Sequence, residues 1–143
     1  MTTKLEHANL CVGDIDSMIK FLQTALPDFM IRHDETDSDG DRWVHIGNDT
    51  TYIALNSSTQ KDSSDWKPYS GEPGVNHLGY MFDNAGQVRN RLIAANYVES
   101  TFENNHPFRK RVYFYDPEGR DWEFVEYLSE NLEERNDYTL ADK

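Results

Sequence analysis

Two histidines and one carboxylate occupy matching places in the two halves of this chain. A shift of 70 positions lays VNHLGYMFDNAGQVRNRLIAAN, from Val75, over LEHANLCVGDIDSMIKFLQTAL, from Leu5, and sets His77 on His7. Apolar positions coincide along the way: Leu5 with Val75, Val12 with Phe82, Met18 with Val88, Leu22 with Leu92 and Ala25 with Ala95. Further on, Val44 matches Val112, and Ala54 matches Glu123. If two repeat-related sheets curve around a common cleft, His7, His77 and Glu123 converge there and the Ala54 corner lacks a ligand. Neutral imidazole and carboxylate oxygen bind Fe(II), Mn(II), Ni(II), Co(II) or Zn(II) without distinguishing among them, and three protein ligands leave positions open for water and substrate. One divalent ion per site is therefore expected. Taken singly, each of these residues fits a locally bonded strand position; their repeat-related placement favours a shared site.

The carboxylate comes from YDPEGRDWEFVEY, residues 115–127, a turn signal followed by a strand carrying both Glu123 and Glu126. Successive side chains on a strand alternate faces, so these two point opposite ways. A carboxylate turned inward is costly unless something pairs with it.

The elements that must position these groups follow from the repeat. Each half reads as a strand, a helix and a run of strands, giving two βαβββ units over about residues 4–56 and 74–128. The fold class expected is α+β, an open curved mixed sheet within a single domain, residues 1–128, followed by an acidic tail, residues 129–143. That tail is poor in apolar residues, and a short helix or disorder is expected there. Asp14 is placed to cap the first helix, with Ile15, Met18, Ile19, Leu22 and Leu26 on one stripe; Asn84 caps the second, with Gln87 three residues on. On the first strand Leu5, His7, Asn9 and Cys11 share a face, and His77, Gly79 and Met81 do so on its counterpart.

Composition excludes several function classes. The 143 residues carry 26 acidic and 14 basic side chains, a formal charge of -12, which disfavours a surface that tracks nucleic-acid phosphates. No apolar run is long enough to span a bilayer, and the N-terminus lacks the pattern of a secretory signal, so a cytoplasmic protein without membrane contact is expected. Cys11, the only cysteine, excludes an internal disulfide and reads as a small core residue.

The segments LEHANLCVGDI, NHLGYMF and YFYDPEGRDWEF resemble the vicinal oxygen chelate superfamily, which covers glyoxalase I, extradiol dioxygenases, fosfomycin-resistance enzymes and bleomycin-binding proteins. The resemblance runs from about Leu5 to Tyr127, and its most specific piece is the Asp-Pro-Glu-Gly turn with a carboxylate five residues after Glu118. It implies a glyoxalase-like fold, a homodimer, and Glu123 rather than Glu126 as ligand beside His7 and His77. Ala54 stands where glyoxalase I typically carries a fourth ligand, which argues against ordinary lactoylglutathione chemistry and towards three-ligand sites. Fosfomycin transferases are similar in size, and Arg109 or Lys110 would hold their phosphonate; Asn9 sits where they commonly have threonine. The function implied is a divalent-metal-dependent enzyme acting on a small oxygen-rich substrate. The alternatives are a fosfomycin-type thiol transferase and a metal-free binding or sequestering protein.

Two further segments bear on substrate. The long connection between the halves carries Trp66 and Tyr69, which read as a lid over a ligand. Tyr113 and Tyr115 share a strand face, and Tyr113 is taken as a pocket residue. ETDSDGD, residues 35–41, lacks the bidentate glutamate of a calcium loop and reads as a solvated acidic turn.

Overall fold

A computed structural model describes residues 2–59, 67–102 and 104–140. Trp66 lies outside the described residues. The chain is α+β and divides into two compact units, Met1–Asp65 and Trp66–Lys143.

In the first unit the order is β1 (His7–Val12), α1 (Ile15–Ala25), β2 (Met30–Thr36), β3 (Arg42–Gly47) and β4 (Tyr52–Ser57). The strands lie side by side as β1-β4-β3-β2, with β1 parallel to β4 and the other pairs antiparallel. Asp14 caps α1, its Oδ1 accepting the Ser17 N–H at 3.1 Å. The expected stripe is buried at Ile15, Met18, Leu22 and Leu26; Phe21 and Ala25 join it, and Ile19 is half-buried. Pro27 follows directly and cannot continue the backbone ladder. Val44 and Ile46 of β3, with Ile53 and Leu55 of β4, are buried. β2 is an edge strand exposed along its length, polar from Arg32 to Thr36 and with Met30 and Ile31 exposed before them. The acidic turn before β3 closes on itself: Asp37 Oδ1 accepts the N–H groups of Asp39 and Asp41.

The second unit runs β5 (His77–Met81), α2 (Ala85–Ala94), β6 (Arg109–Tyr115), β7 (Asp121–Tyr127) and α3 (Leu132–Arg135), with strand order β5-β7-β6. Asn84 caps α2 through the Gln87 N–H at 3.0 Å. The fourth strand of the expected βαβββ pattern is reduced to an isolated bridge between Glu99 and Phe114. Two backbone bonds flank it, Ser100 N–H to Tyr113 C=O and Tyr115 N–H to Val98 C=O, and beyond them side chains take over. Thr101 Oγ1 accepts the Tyr113 N–H at 2.8 Å, and the Asn104 amide bonds both N–H and C=O of Arg111. The tail supplies the short helix α3 and folds back within its own unit: the Asp137 carbonyl accepts from His106 Nε2, and Arg135 stacks on Tyr127. Among the described residues no helix is long and apolar enough to cross a membrane.

Candidate metal centre

The Asp-Pro-Glu-Gly turn sets the register that places the carboxylate. Asp116 is 4% exposed, and its Oδ1 accepts the N–H groups of Glu118 and Arg120 while Oδ2 accepts Trp122 Nε1–H at 3.0 Å. Burial pushes its carboxyl up, opposed by these hydrogen bonds. Gly119 takes φ +83°, which an L side chain rarely adopts, and closes the turn. Tyr115 then pairs with Asp121 and Tyr113 with Glu123, while parallel pairing on the other side sets Gly79 against Glu123 and His77 against Asp121. In the first unit, β1 and β4 repeat this arrangement: Asn9 pairs with Ala54 and His7 with Tyr52. Ala54 is thus the structural counterpart of Glu123, as the sequence overlay has it.

The two carboxylates of β7 have separate roles. Glu126 turns to the helix side, where its Oε2 accepts the Ala85 N–H at the start of α2 at 3.0 Å. Glu123 turns to the open face, where its Oε2 lies 3.1 Å from His77 Nε2 and its Oε1 accepts the Tyr113 hydroxyl at 2.9 Å. Gly79 lies beside it: a Cβ there would stand in ordinary van der Waals contact with Glu123 Oε2, at 3.4 Å. The side chains of His77 and Glu123 are 35% and 17% exposed, so a ligand can reach them. The other ring nitrogen, His77 Nδ1, meets the Tyr69 hydroxyl at 2.8 Å, and that hydroxyl donates to Asp121 Oδ2 at 2.8 Å. Burial and the Asp121 carboxylate push the Tyr69 hydroxyl well above the usual phenol range. Burial and Glu123 do the same to Tyr113. Both phenols therefore remain protonated donors.

His7 opens β1 on the exposed face with Asn9 and Cys11. Its ring stacks on Tyr52 with centroids 4.7 Å apart, and its Nδ1 lies 3.2 Å from Glu6 Oε2, so here too Nδ1 is the engaged nitrogen. Asn9 Oδ1 accepts from Asn56 at 2.6 Å. Cys11, expected in the core, is exposed, because strand alternation puts it on the His7 side rather than with buried Val12. His45 pairs with Ala54 and so shares the face of His7; it lies between Trp43 and Tyr52, and burial lowers its pKa. Sequence reasoning passed over it, although alternation within WVHIG puts it beside the Ala54 corner.

The basic cluster divides between faces. Lys110 is exposed and pairs with Glu126, on the opposite face of β6 from Tyr113 and Glu123. Arg109 is 8% exposed, with its guanidinium 5.1 Å from the ring centre of Tyr138 in the tail. Arg111, not singled out in the sequence, is two residues from Tyr113 and shares its face, and its Nε and Nη2 are buried without a hydrogen-bond partner among the described residues. Counting parity from Tyr113 finds it. Tyr69, read as a lid residue, contributes its hydroxyl to His77. The structure thus brings His77, Glu123, Tyr113 and Tyr69 together in the second unit. Among the described residues no group of three or more His, Cys, Asp or Glu gathers closely enough to hold a metal.

The fold is that of glyoxalase-like proteins. Residues 4–124 match the Glyoxalase/Bleomycin resistance protein/Dioxygenase superfamily, and the chain belongs to it. The fosfomycin resistance protein FosX from Listeria monocytogenes, crystallised with Mn(II) and sulfate, is similar at 20% identity and TM-score 0.70, over 96% of this chain and 100% of that one. FosX from Mesorhizobium loti is similar at 17% identity and TM-score 0.66, over 94% and 98%. The trypanothione-dependent glyoxalase I of Leishmania major is similar at 17% identity and TM-score 0.67, over 87% of each chain. At these identities the likeness shows the fold. No curated protein matches the sequence.

Proposed function

We propose that the chain is a divalent-metal-dependent enzyme in which His7, His77 and Glu123 hold one ion, and a small oxygen-rich substrate takes the remaining coordination positions. The observation that carries this reading is the pair His77 Nε2 and Glu123 Oε2, 3.1 Å apart with their companion atoms engaged by Tyr69 and Tyr113. A carboxylate oxygen and an imidazole nitrogen facing each other need a proton or a cation between them, and both are donors suited to a divalent transition metal. When bound, the ion would act as a Lewis acid towards substrate oxygen. The chain's own residues orient the ligands: Tyr113 holds Glu123, Tyr69 holds Nδ1 of His77, and Tyr52 supports His7. Ala54 contributes no donor.

A second reading, a fosfomycin-type transferase, rests on Arg111. Its Nε and Nη2 are buried without a hydrogen-bond partner among the described residues, the ring of Phe102 lies 5.9 Å from its guanidinium carbon, and buried donors left unbonded are costly, so an oxyanion on the substrate would complete them. Lys110, which the sheet turns away, is set aside, and Arg109, which shares the Tyr113 face and whose Nε is likewise buried without a hydrogen-bond partner among the described residues, stays beside Arg111 as a holder of that oxyanion. Pairing of two chains is proposed as well. β1 and β5 are edge strands, each exposing alternate residues, and Leu5, Val75 and Met81 stand exposed at or beside them.

The test is turnover in several metals against hemithioacetals, fosfomycin with thiols, and catechols, each compared with Glu123→Ala. Activity that depends on the metal and is lost in the variant supports the reading. Activity surviving in Glu123→Ala, or after complete metal removal, overturns it and leaves the metal-free binding protein as the better account.

A further inference from the structure

Tyr69 combines features that packing does not explain. Its backbone takes φ +63°, a region bulky L residues seldom enter and one that persists only where the surroundings hold it. Asn76 Oδ1 does so, accepting the Tyr69 N–H at 2.8 Å. Yet the residue is 54% exposed, so its placement is not for burial of the ring. What the loop delivers is the hydroxyl, 2.8 Å from both His77 Nδ1 and Asp121 Oδ2.

Counting protons gives this chain of hydrogen bonds a direction. Asp121 is 4% exposed and, as a carboxylate, only accepts; Ser100 donates to one of its oxygens and Tyr69 to the other. Tyr69 has one hydroxyl proton, and Asp121 takes it. The Tyr69 oxygen therefore accepts from His77 Nδ1–H, which leaves Nε2 to share a proton or a cation with Glu123 Oε2, 3.1 Å away. The opposite arrangement would give Glu123 an N–H donor but would set the Tyr69 oxygen lone pairs against buried Asp121. Burial makes that mismatch the costlier one, because Glu123 touches solvent and can be satisfied by water.

We propose that Tyr69 is a positioning residue that holds His77 as the Nδ1–H tautomer and so makes Nε2 the metal-binding nitrogen. This rests on the reading of His77 and Glu123 as metal ligands. Outer groups of this kind fix the tautomer and the ring orientation of a ligand histidine.

The test uses the full chain with Mn(II) as probe, comparing wild type, Tyr69→Phe, Asp121→Asn and Glu123→Ala by titration calorimetry. Long-range proton–nitrogen spectra of the His77 ring are recorded on metal-free protein at alkaline pH. Tyr69→Phe removes the acceptor while keeping the ring. Asp121→Asn keeps Tyr69 but removes the charge that draws its proton and leaves one acceptor oxygen for two donors, Ser100 and Tyr69, which weakens the pull of the Tyr69 proton away from Nδ1. Both variants are expected to bind Mn(II) about 10- to 100-fold more weakly, and both to move His77 towards the Nε2–H tautomer, a change that general loosening of the loop would not produce. Mn(II) affinity within about twofold of wild type in both variants, or an unchanged tautomer, overturns the proposal. Wild-type affinity in Glu123→Ala overturns the metal reading instead, and with it the proposal.

Discussion

Replacing Glu126 by alanine should weaken the fold and spare the metal, whereas replacing Glu123 by glutamine should do the reverse. Glu126 Oε2 accepts the Ala85 N–H at 3.0 Å, at the end of α2 where unpaired donors concentrate and a negative charge is favoured. A hydrogen bond to a charged acceptor is worth roughly 1.5–3 kcal/mol and the helix-end charge about 0.3–1 kcal/mol, but Glu126 is only partly buried and water recovers part of the loss. The net cost is about 1–2 kcal/mol. For a chain of 143 residues that lowers Tm by about 3–6 °C. Glutamine at 123 still accepts from Tyr113 and turns an N–H donor towards His77, so stability should stay within about 1 kcal/mol while the anionic ligand is gone. Differential scanning calorimetry reads the first quantity and Mn(II) titration the second. The reasoning is refuted if Glu126→Ala impairs Mn(II) binding more than Glu123→Gln, or if its Tm matches the parent's.

Asp116→Ala strips the acceptor from Glu118 N–H, Arg120 N–H and the buried indole of Trp122, and should cost about 3 kcal/mol in urea unfolding; an unchanged midpoint would contradict the account of the turn. His45 should titrate below the ordinary imidazole value of 6.5 in an NMR titration, since burial disfavours its charged form. Its folded pKa lies below the unfolded one, so its contribution to stability is complete above about pH 6.5 and lost as pH falls through the window below. His45→Gln should flatten that dependence, and a midpoint at or above 6.5 would refute the assignment. Sedimentation at micromolar concentration should give a dimer; a monomer there would count against the pairing proposal.

What the sequence made legible is what local rules and the repeat encode. Asp14 and Asn84 are capping residues with apolar stripes behind them, and those rules act over a single helical turn. The overlay of Ala54 on Glu123 survives because parallel pairing of β1 with β4 and β5 with β7 reproduces the same register twice. Glu123 and Glu126 separate by parity alone, and the same parity would have set Lys110 apart from Arg111. Tyr69 was not legible in this way. Its role depends on a left-handed backbone and on Asp121, 52 residues away, and neither leaves a periodic mark. The missing strand near Glu99 was hidden for a related reason: Thr101 and Asn104 replace backbone partners with side chains, which hydrophobic patterning does not register.

The central claim is tested most directly by equilibrium dialysis of the full chain against Mn(II), Fe(II), Co(II), Ni(II) and Zn(II), with elemental analysis of bound metal, for wild type and the single variants His7→Ala, His77→Ala and Glu123→Ala. The expected result is about one ion per chain in wild type for at least one of these metals, as three protein ligands per site require, and loss of that uptake in each variant. Wild-type protein that binds none of them, or variants that bind as wild type does, would contradict the account.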